Sequence, residues 1–316
     1  MRTVFFERYV DLARHGANSW LRFFLAFVTL AVLYVLAGAV FFVAIAPSEV
    51  WRKPEAFDAA LATPLGLAAT LLSVGWMWIS LWIVLRLFHR RRLATVVGHD
   101  GWAGRRDLTC GLLVGLFVPL AAGFATLPIG PIPVRAEIAL ESWLLLFLPF
   151  AAIILIQASA EEAVFRGYFP QILASRGLAS WIWFGLPTLL FAAIHWRHDL
   201  PLWKNASIVA SIAIFAIAMM ILVIRTGRIA AASGAHWGNN MVALQFVGID
   251  DDLGPMALFH LPPLTDLAWT PAAIGVMVVA TIPVSILQLA LLLHPRSPVS
   301  VVRPEAPLLA NSPSTV

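Results

Sequence analysis

The stretch Ala151-Ala152-Ile153-Ile154-Leu155-Ile156-Gln157-Ala158-Ser159-Ala160-Glu161-Glu162-Ala163-Val164-Phe165-Arg166 carries three ionisable side chains on the end of an apolar run. Inside a hydrocarbon layer such a group costs about 2.5–3.5 kcal/mol each on insertion scales, so it needs a partner or a function. On a helix, Glu162 and Arg166 stand four apart and share a face, where they can form an ion pair. Glu161 lies about 100° round the same helix. One carboxylate is thus neutralised by a cation and the other is left to titrate, the arrangement by which paired carboxylates acquire different roles. The spacing assigns Glu161 as a base and Glu162 with Arg166 as its scaffold.

The rest of the chain fits the same setting. Of its 316 residues 60% are hydrophobic and 12% charged, against about 25% charged in a soluble domain. The mean hydropathy is +0.86. The apolar residues gather into runs of about 20, the length that crosses a hydrocarbon core of about 30 Å. Eight spans are predicted, at 22–46, 64–88, 108–127, 141–165, 180–196, 206–225, 229–247 and 270–294, giving an all-α polytopic helical bundle. The division predicted is a cytoplasmic segment 1–22, a membrane domain 23–294 with its working core at about 140–247, and a disordered tail 295–316. The run from Phe23 to Ala46 exceeds the 7–15 residues of a signal-peptide core, which predicts a retained anchor.

Placing the N-terminus inside puts most Lys and Arg on the cytoplasmic side, and with eight spans both termini lie there. Helical spans point to a cytoplasmic-type membrane of the bacterial kind rather than to an outer-membrane barrel. The net charge of +4 therefore reads as a topology signal, and no nucleic-acid partner is expected. The single cysteine, Cys110, excludes an internal disulfide framework.

Two further clusters stand in apolar surroundings: Phe191-x-x-x-His195, and His236 with Asn240, four apart on one helix face. One carboxylate, two imidazoles and an amide suit water activation with stabilisation of an oxyanion. The polar stretch Ser175-Arg176-Gly177 predicts the turn of a helical hairpin centred near Leu178. Glu161 and His195 each lie 17 residues from that centre, so they are predicted at one level. His198, Asp199 and Asp250 to Asp252 read as loop residues.

Taken together, Glu161-Glu162-x-x-x-Arg166, Phe191-x-x-x-His195 and His236-x-x-x-Asn240 resemble the three motifs of the CPBP intramembrane proteases. That family includes the type II CAAX prenyl endopeptidases and the Abi or bacteriocin-immunity proteins. The resemblance covers about residues 140–245, with the motifs in the family's order. It implies an intramembrane endopeptidase in which Glu161 and His195 activate water, His236 and Asn240 stabilise the oxyanion, and Glu162 and Arg166 support the site. It implies a membrane protein or lipidated peptide as substrate, met at the lipid bilayer. The family has been described both as metal-dependent and as glutamate proteases; a divalent metal such as zinc, if used, would fall to Glu161, His195 and His236. The sequence lacks the His-Glu-x-x-His arrangement in which one helix supplies two ligands and a base, which favours the metal-free form. The alternative is a non-proteolytic membrane protein, an ion-coupled transporter or an immunity or scaffold protein, using the same polar cluster.

Overall fold

The computed structural model describes residues 3–46, 55–98, 101–250 and 253–299. The helices that matter for the site are α1 (Val4–Arg14), α2 (Trp20–Ile45), α3 (Pro64–His89), α4 (Gly101–Thr126), α5 (Leu140–Ser175), α6 (Trp181–Ala193), α7 (Leu202–Thr226), α8 (Ala230–Met241) and α9 (Pro271–Leu293). Short helices at Glu55–Leu61 and Ala94–Val97 lie in the connections. The expected all-helical membrane bundle is what forms, but the expected count of eight spans is not. Among the described residues six helices are long and apolar enough to cross a membrane: α2, α3, α4, α5, α7 and α9. The segments predicted at 180–196 and 229–247 are the short helices α6 and α8. The first stops at the polar turn carrying His195, and the second widens into a π turn at Val242–Phe246 and then becomes a strand. From residue 300 on, the expected tail lies outside the described residues.

Three short strands close one end of the bundle: β1 (Val134–Arg135), β2 (Val247–Ile249) and β3 (Phe259–Leu261). β3 is central, antiparallel to β1 and parallel to β2, with His260 opposite both Val134 and Gly248. The sheet ties together the connections before α5, after α8 and before α9.

At the other end lies α1, which hydropathy alone does not mark. Phe6, Tyr9, Val10 and Ala13 are buried, the i, i+3, i+4, i+7 stripe of an amphipathic helix. Phe6 stacks on Trp183 of α6 at 4.8 Å between ring centroids. Gln171 of α5 donates to the carbonyls of Tyr9 (3.0 Å) and Thr95 (2.8 Å) and accepts from Arg91 (2.7 Å). Tyr168 pairs with His89 at 2.8 Å. The last turns of α5 are thereby clamped from three directions.

Pro170 of α5 and Pro187 of α6 each follow a π turn, the first at Ala163–Tyr168 and the second at Trp181–Gly185. A proline lacks the N–H that closes the helical turn and its ring crowds the carbonyl four residues back. The wider turn before it makes room, so α5 continues for 36 residues instead of breaking. The hairpin turn forms where predicted: the helix ends at Ser175, and Gly177 takes φ +73°, a conformation natural to glycine.

The closest helix approach is between α4 and α8. Gly111 and Gly115 of α4 face Gly234 and Gly238 of α8, reciprocal Gly-x-x-x-Gly pairs of the kind that let membrane helices meet backbone to backbone. A Cβ on Gly111, Gly115 or Gly234 would run into the carbonyl oxygens of Ala231, Ala235 or Leu108, and one on Gly238 would lie 2.5 Å from Leu112 O. On a helix, Gly234 and Gly238 lie opposite His236 and Asn240. Their contact with α4 turns the polar pair towards α5. Gly115→Leu and Gly234→Leu should therefore destabilise the protein by at least about 1–3 kcal/mol, the cost of overpacking. Gly104→Ala, where an added Cβ meets nothing within 4 Å, should be neutral. Thermal unfolding in detergent distinguishes the two groups.

Candidate functional site

α5 brings Gln157, Glu161, Glu162 and Arg166 to the face shared with α6 and α8. Glu162 and Arg166 form the predicted pair at 3.1 Å, and their side chains are 0% and 1% exposed. The guanidinium also lies over the ring of Phe191, 3.9 Å from its centroid, a cation–π contact that is strongest where water is excluded. Phe191 therefore has a part of its own in the second motif: it forms a lid on the buried arginine.

His236 of α8 reaches both carboxylates. Its Nδ1 is 2.9 Å from Glu162 Oε1 and its Nε2 is 3.5 Å from Glu161 Oε2. The imidazole is packed edge-on between Phe191 and Phe215, with ring centroids 6.0 and 5.4 Å away. The sequence grouped His236 with Asn240; in the fold it bridges the two glutamates. Glu161, Glu162, Arg166 and His236 are all buried. Glu162 and Arg166 compensate each other, and His236 stands between the two carboxylates. Glu161 Oε2 has no hydrogen-bond partner among the described residues.

His195 sits in the turn just beyond α6 and is half-buried. The hairpin register that places it holds: Phe165 and Phe191, each 13 residues from Leu178, meet at 5.3 Å between centroids. His195 itself is turned to its own helix. Its Nδ1 donates to Phe191 O at 2.8 Å, since a carbonyl can only accept, and this leaves Nε2 as the ring's basic nitrogen. The ring stays in the neighbourhood through Phe191, 5.0 Å between centroids. The turn is pinned by Asn205 of α7, which accepts from Arg197 N (2.8 Å) and donates to Arg197 O (2.7 Å) and Leu200 O (3.0 Å). On its outer side Asp199 receives Arg197 at 3.1 and 2.8 Å. These hydrogen bonds hold its carboxyl below the usual range.

Asn240 is half-buried and donates through Nδ2 to Gln157 Oε1 at 3.0 Å. Gln157 and Asn205 escape a reading that searches for ionisable groups. Gln157 lies four residues before Glu161 and so on its face, a signal that the spacing carried. Asn205 offers no such signal, because its partners are backbone groups of a loop.

Glu161, His195 and His236, to which a metal ion would fall if one were used, are not grouped as a ligand set. Among the described residues no three His, Cys, Asp or Glu side chains are grouped so as to hold one ion. His236 directs both nitrogens to carboxylates, and His195 spends one on its own helix. Of the acidic loop, Asp250 meets His260 at 3.3 Å, and Asp251 and Asp252 lie outside the described residues. Cys110 is a free, half-buried thiol.

These side chains, from Gln157 to Asn240, fall within one segment that comparison with known families picks out. Residues 142–242 match the family described as Type II CAAX prenyl endopeptidase Rce1-like. This agrees with the resemblance carried by the three motifs, and all three lie inside the Rce1-like segment. The chain is also 26% identical over 240 residues to the uncharacterized protein YyaK of Bacillus subtilis (strain 168), covering 73% of this chain and 79% of that protein. No solved structure matches it. The Rce1-like segment thus belongs to an integral membrane chain and resembles proteins described as endopeptidases.

Removing one partner of a buried ion pair leaves the other uncompensated, at about 3–5 kcal/mol. Glu162→Gln should lower the unfolding midpoint in detergent by that order. Adding Arg166→Met to the same protein should recover most of the loss, because both charges are then gone.

Proposed function

We propose that the chain is an intramembrane endopeptidase acting on a membrane-associated protein or peptide. The observation that supports this best is Glu161, a buried carboxylate with one oxygen unbonded, set 3.5 Å from His236 beside an already neutralised Glu162–Arg166 pair. A carboxylate buried beside a histidine, while its neighbour is already held by an arginine, is equipped to take a proton from water.

In the proposed reaction, water attacks the scissile carbonyl carbon and gives its proton to Glu161. His195 Nε2, its ring fixed through Phe191 O, assists by accepting a hydrogen bond from the same water. As the C–O bond forms, negative charge leaves Glu161 and arises on the carbonyl oxygen. The Nε2–H of His236 loses its attraction to the neutralised carboxyl and turns to the new oxyanion, joined by the amide of Asn240. Preorganised donors of this kind contribute about 10²–10³-fold each. When the tetrahedral intermediate collapses, the C–N bond breaks and Glu161 returns its proton to the departing amine. Glu162 and Arg166 keep the site neutral throughout. No step runs through a metal ion.

The family description, with its CAAX prenyl endopeptidases, supports a peptide substrate presented at the membrane. We propose either a lipidated peptide or a membrane protein, in a bacterial-type cytoplasmic membrane with both termini of this chain in the cytoplasm.

The test compares wild type with Glu161→Gln and His195→Ala in membranes of cells that lack the native gene. Mass spectrometry then searches for new protein termini. Termini made by wild type should vanish with Glu161→Gln and fall by about 10²–10⁴-fold with His195→Ala, the range for a lost acid–base group. Identical termini for all three folded proteins would exclude proteolysis, and Glu161-dependent ion movement would then favour a transporter.

A further inference from the structure

Two polar rungs join α5 to α8, one helical turn apart. The first is Glu161 with His236; the second is Gln157 with Asn240 at 3.0 Å. Gln157 precedes Glu161 by four residues and Asn240 follows His236 by four, so the rungs lie on facing stripes of antiparallel helices. Gln157 is 6% exposed on an otherwise apolar turn, where an amide without a hydrogen bond would be costly. Its acceptor oxygen is turned to the one amide that the proposed reaction uses.

We propose that Gln157 is a positioning residue that fixes the orientation of the Asn240 carboxamide. This rests on the endopeptidase reading above. A carboxamide has one donating and one accepting end, and rotation by 180° exchanges them. If the oxygen of Asn240 faced a forming oxyanion, it would repel the charge it should stabilise. Gln157 Oε1 opposes this by taking one hydrogen of Nδ2, so that a reversed Asn240 would require both carboxamides to turn together. The amide is held with nitrogen at the rung, and its second hydrogen is left for the substrate. Asn240 alone, half-buried, has no comparable constraint on its terminal torsion, which is broad and roughly two-fold.

Two variants separate shape from hydrogen bonding. Gln157→Met keeps length and apolar packing but offers no acceptor oxygen. Gln157→Glu keeps a carbonyl acceptor in the same place. With the cleaved peptide identified as above, Gln157→Met should lower kcat about tenfold with KM little changed, the scale of one lost hydrogen bond. Gln157→Glu also sets a second buried carboxyl one turn from Glu161, so it is read by the exchange measurement below and not by kcat. In an Asn240→Ala background, Gln157→Met should have no further effect.

A second readout does not depend on cleavage. The chain has five asparagines, Asn18, Asn205, Asn239, Asn240 and Asn311, so selective ¹⁵N-asparagine labelling gives few side-chain amide signals. The Asn240 pair, assigned by its loss in Asn240→Ala, should show slowed hydrogen exchange in wild type and Gln157→Glu and fast exchange in Gln157→Met. Unchanged exchange or unchanged kcat in Gln157→Met, with wild type active, would overturn the positioning role alone. The same holds for losses that add to those of Asn240→Ala. A wild type that cleaves nothing would bring down the endopeptidase reading and this role with it, whatever the exchange data show.

Discussion

Charges buried in a medium of low dielectric must cancel locally, and the arrangement of this protein's centre follows from that requirement. Glu162 and Arg166 meet it within one helix. Glu161 cannot, because the same helix turns it to a different face, so its counterpart has to come from elsewhere in the chain. His236 is that counterpart, and it reaches Glu162 as well. The result is a cluster of Glu161, Glu162, Arg166 and His236, walled by Phe191 and Phe215. Local compensation of charge keeps it stable within a membrane.

Bringing His236 to Glu161 constrains the helices around them. α8 carries its polar side chains on one face and glycines on the other, and the glycines pack backbone to backbone on α4. No side chain on that seam could be enlarged without pushing His236 and Asn240 along the polar face. On α5, the π turn directly after Glu162 accommodates Pro170. Wider turns of this kind are often found at functional sites in helices. Here the helix stays continuous across the site, and the clamp on its far turns by α1, Gln171 and Arg91 limits how far it can shift.

The second histidine is held by different means. His195 lies past the end of α6, where the backbone is no longer fixed by helical hydrogen bonds. Asn205 supplies three side-chain bonds in their place. The cluster around Glu161 is thus buried, while His195 stands half-exposed beyond the end of α6. The proposed hydrolysis would need both conditions: a protected base, and a route by which water and a peptide can meet it.

What the sequence by itself determined were the properties carried by local spacing and composition. The apolar runs made it a helical membrane protein. The four-residue spacing of Glu162 and Arg166 made them a pair, and Ser175 to Gly177 marked a hairpin whose register Phe165 and Phe191 obey. The stripe of α1 and the glycine pairs of α4 and α8 were also written there, although hydropathy does not reveal them. The crossing count was not legible in the same way. α6 is as apolar as the longer spans, whereas α8 carries Ser233, His236, Asn239 and Asn240, and what shortens both is where the chain must turn to place His195 and to enter β2. Only the tertiary structure decided which group faces which. His236 goes to the two glutamates, Asn240 to Gln157, and His195 to its own helix carbonyl. Periodicity fixes the face on which a side chain stands, but not the rotation and depth at which a second helix meets it; those depend on packing along the whole length of both.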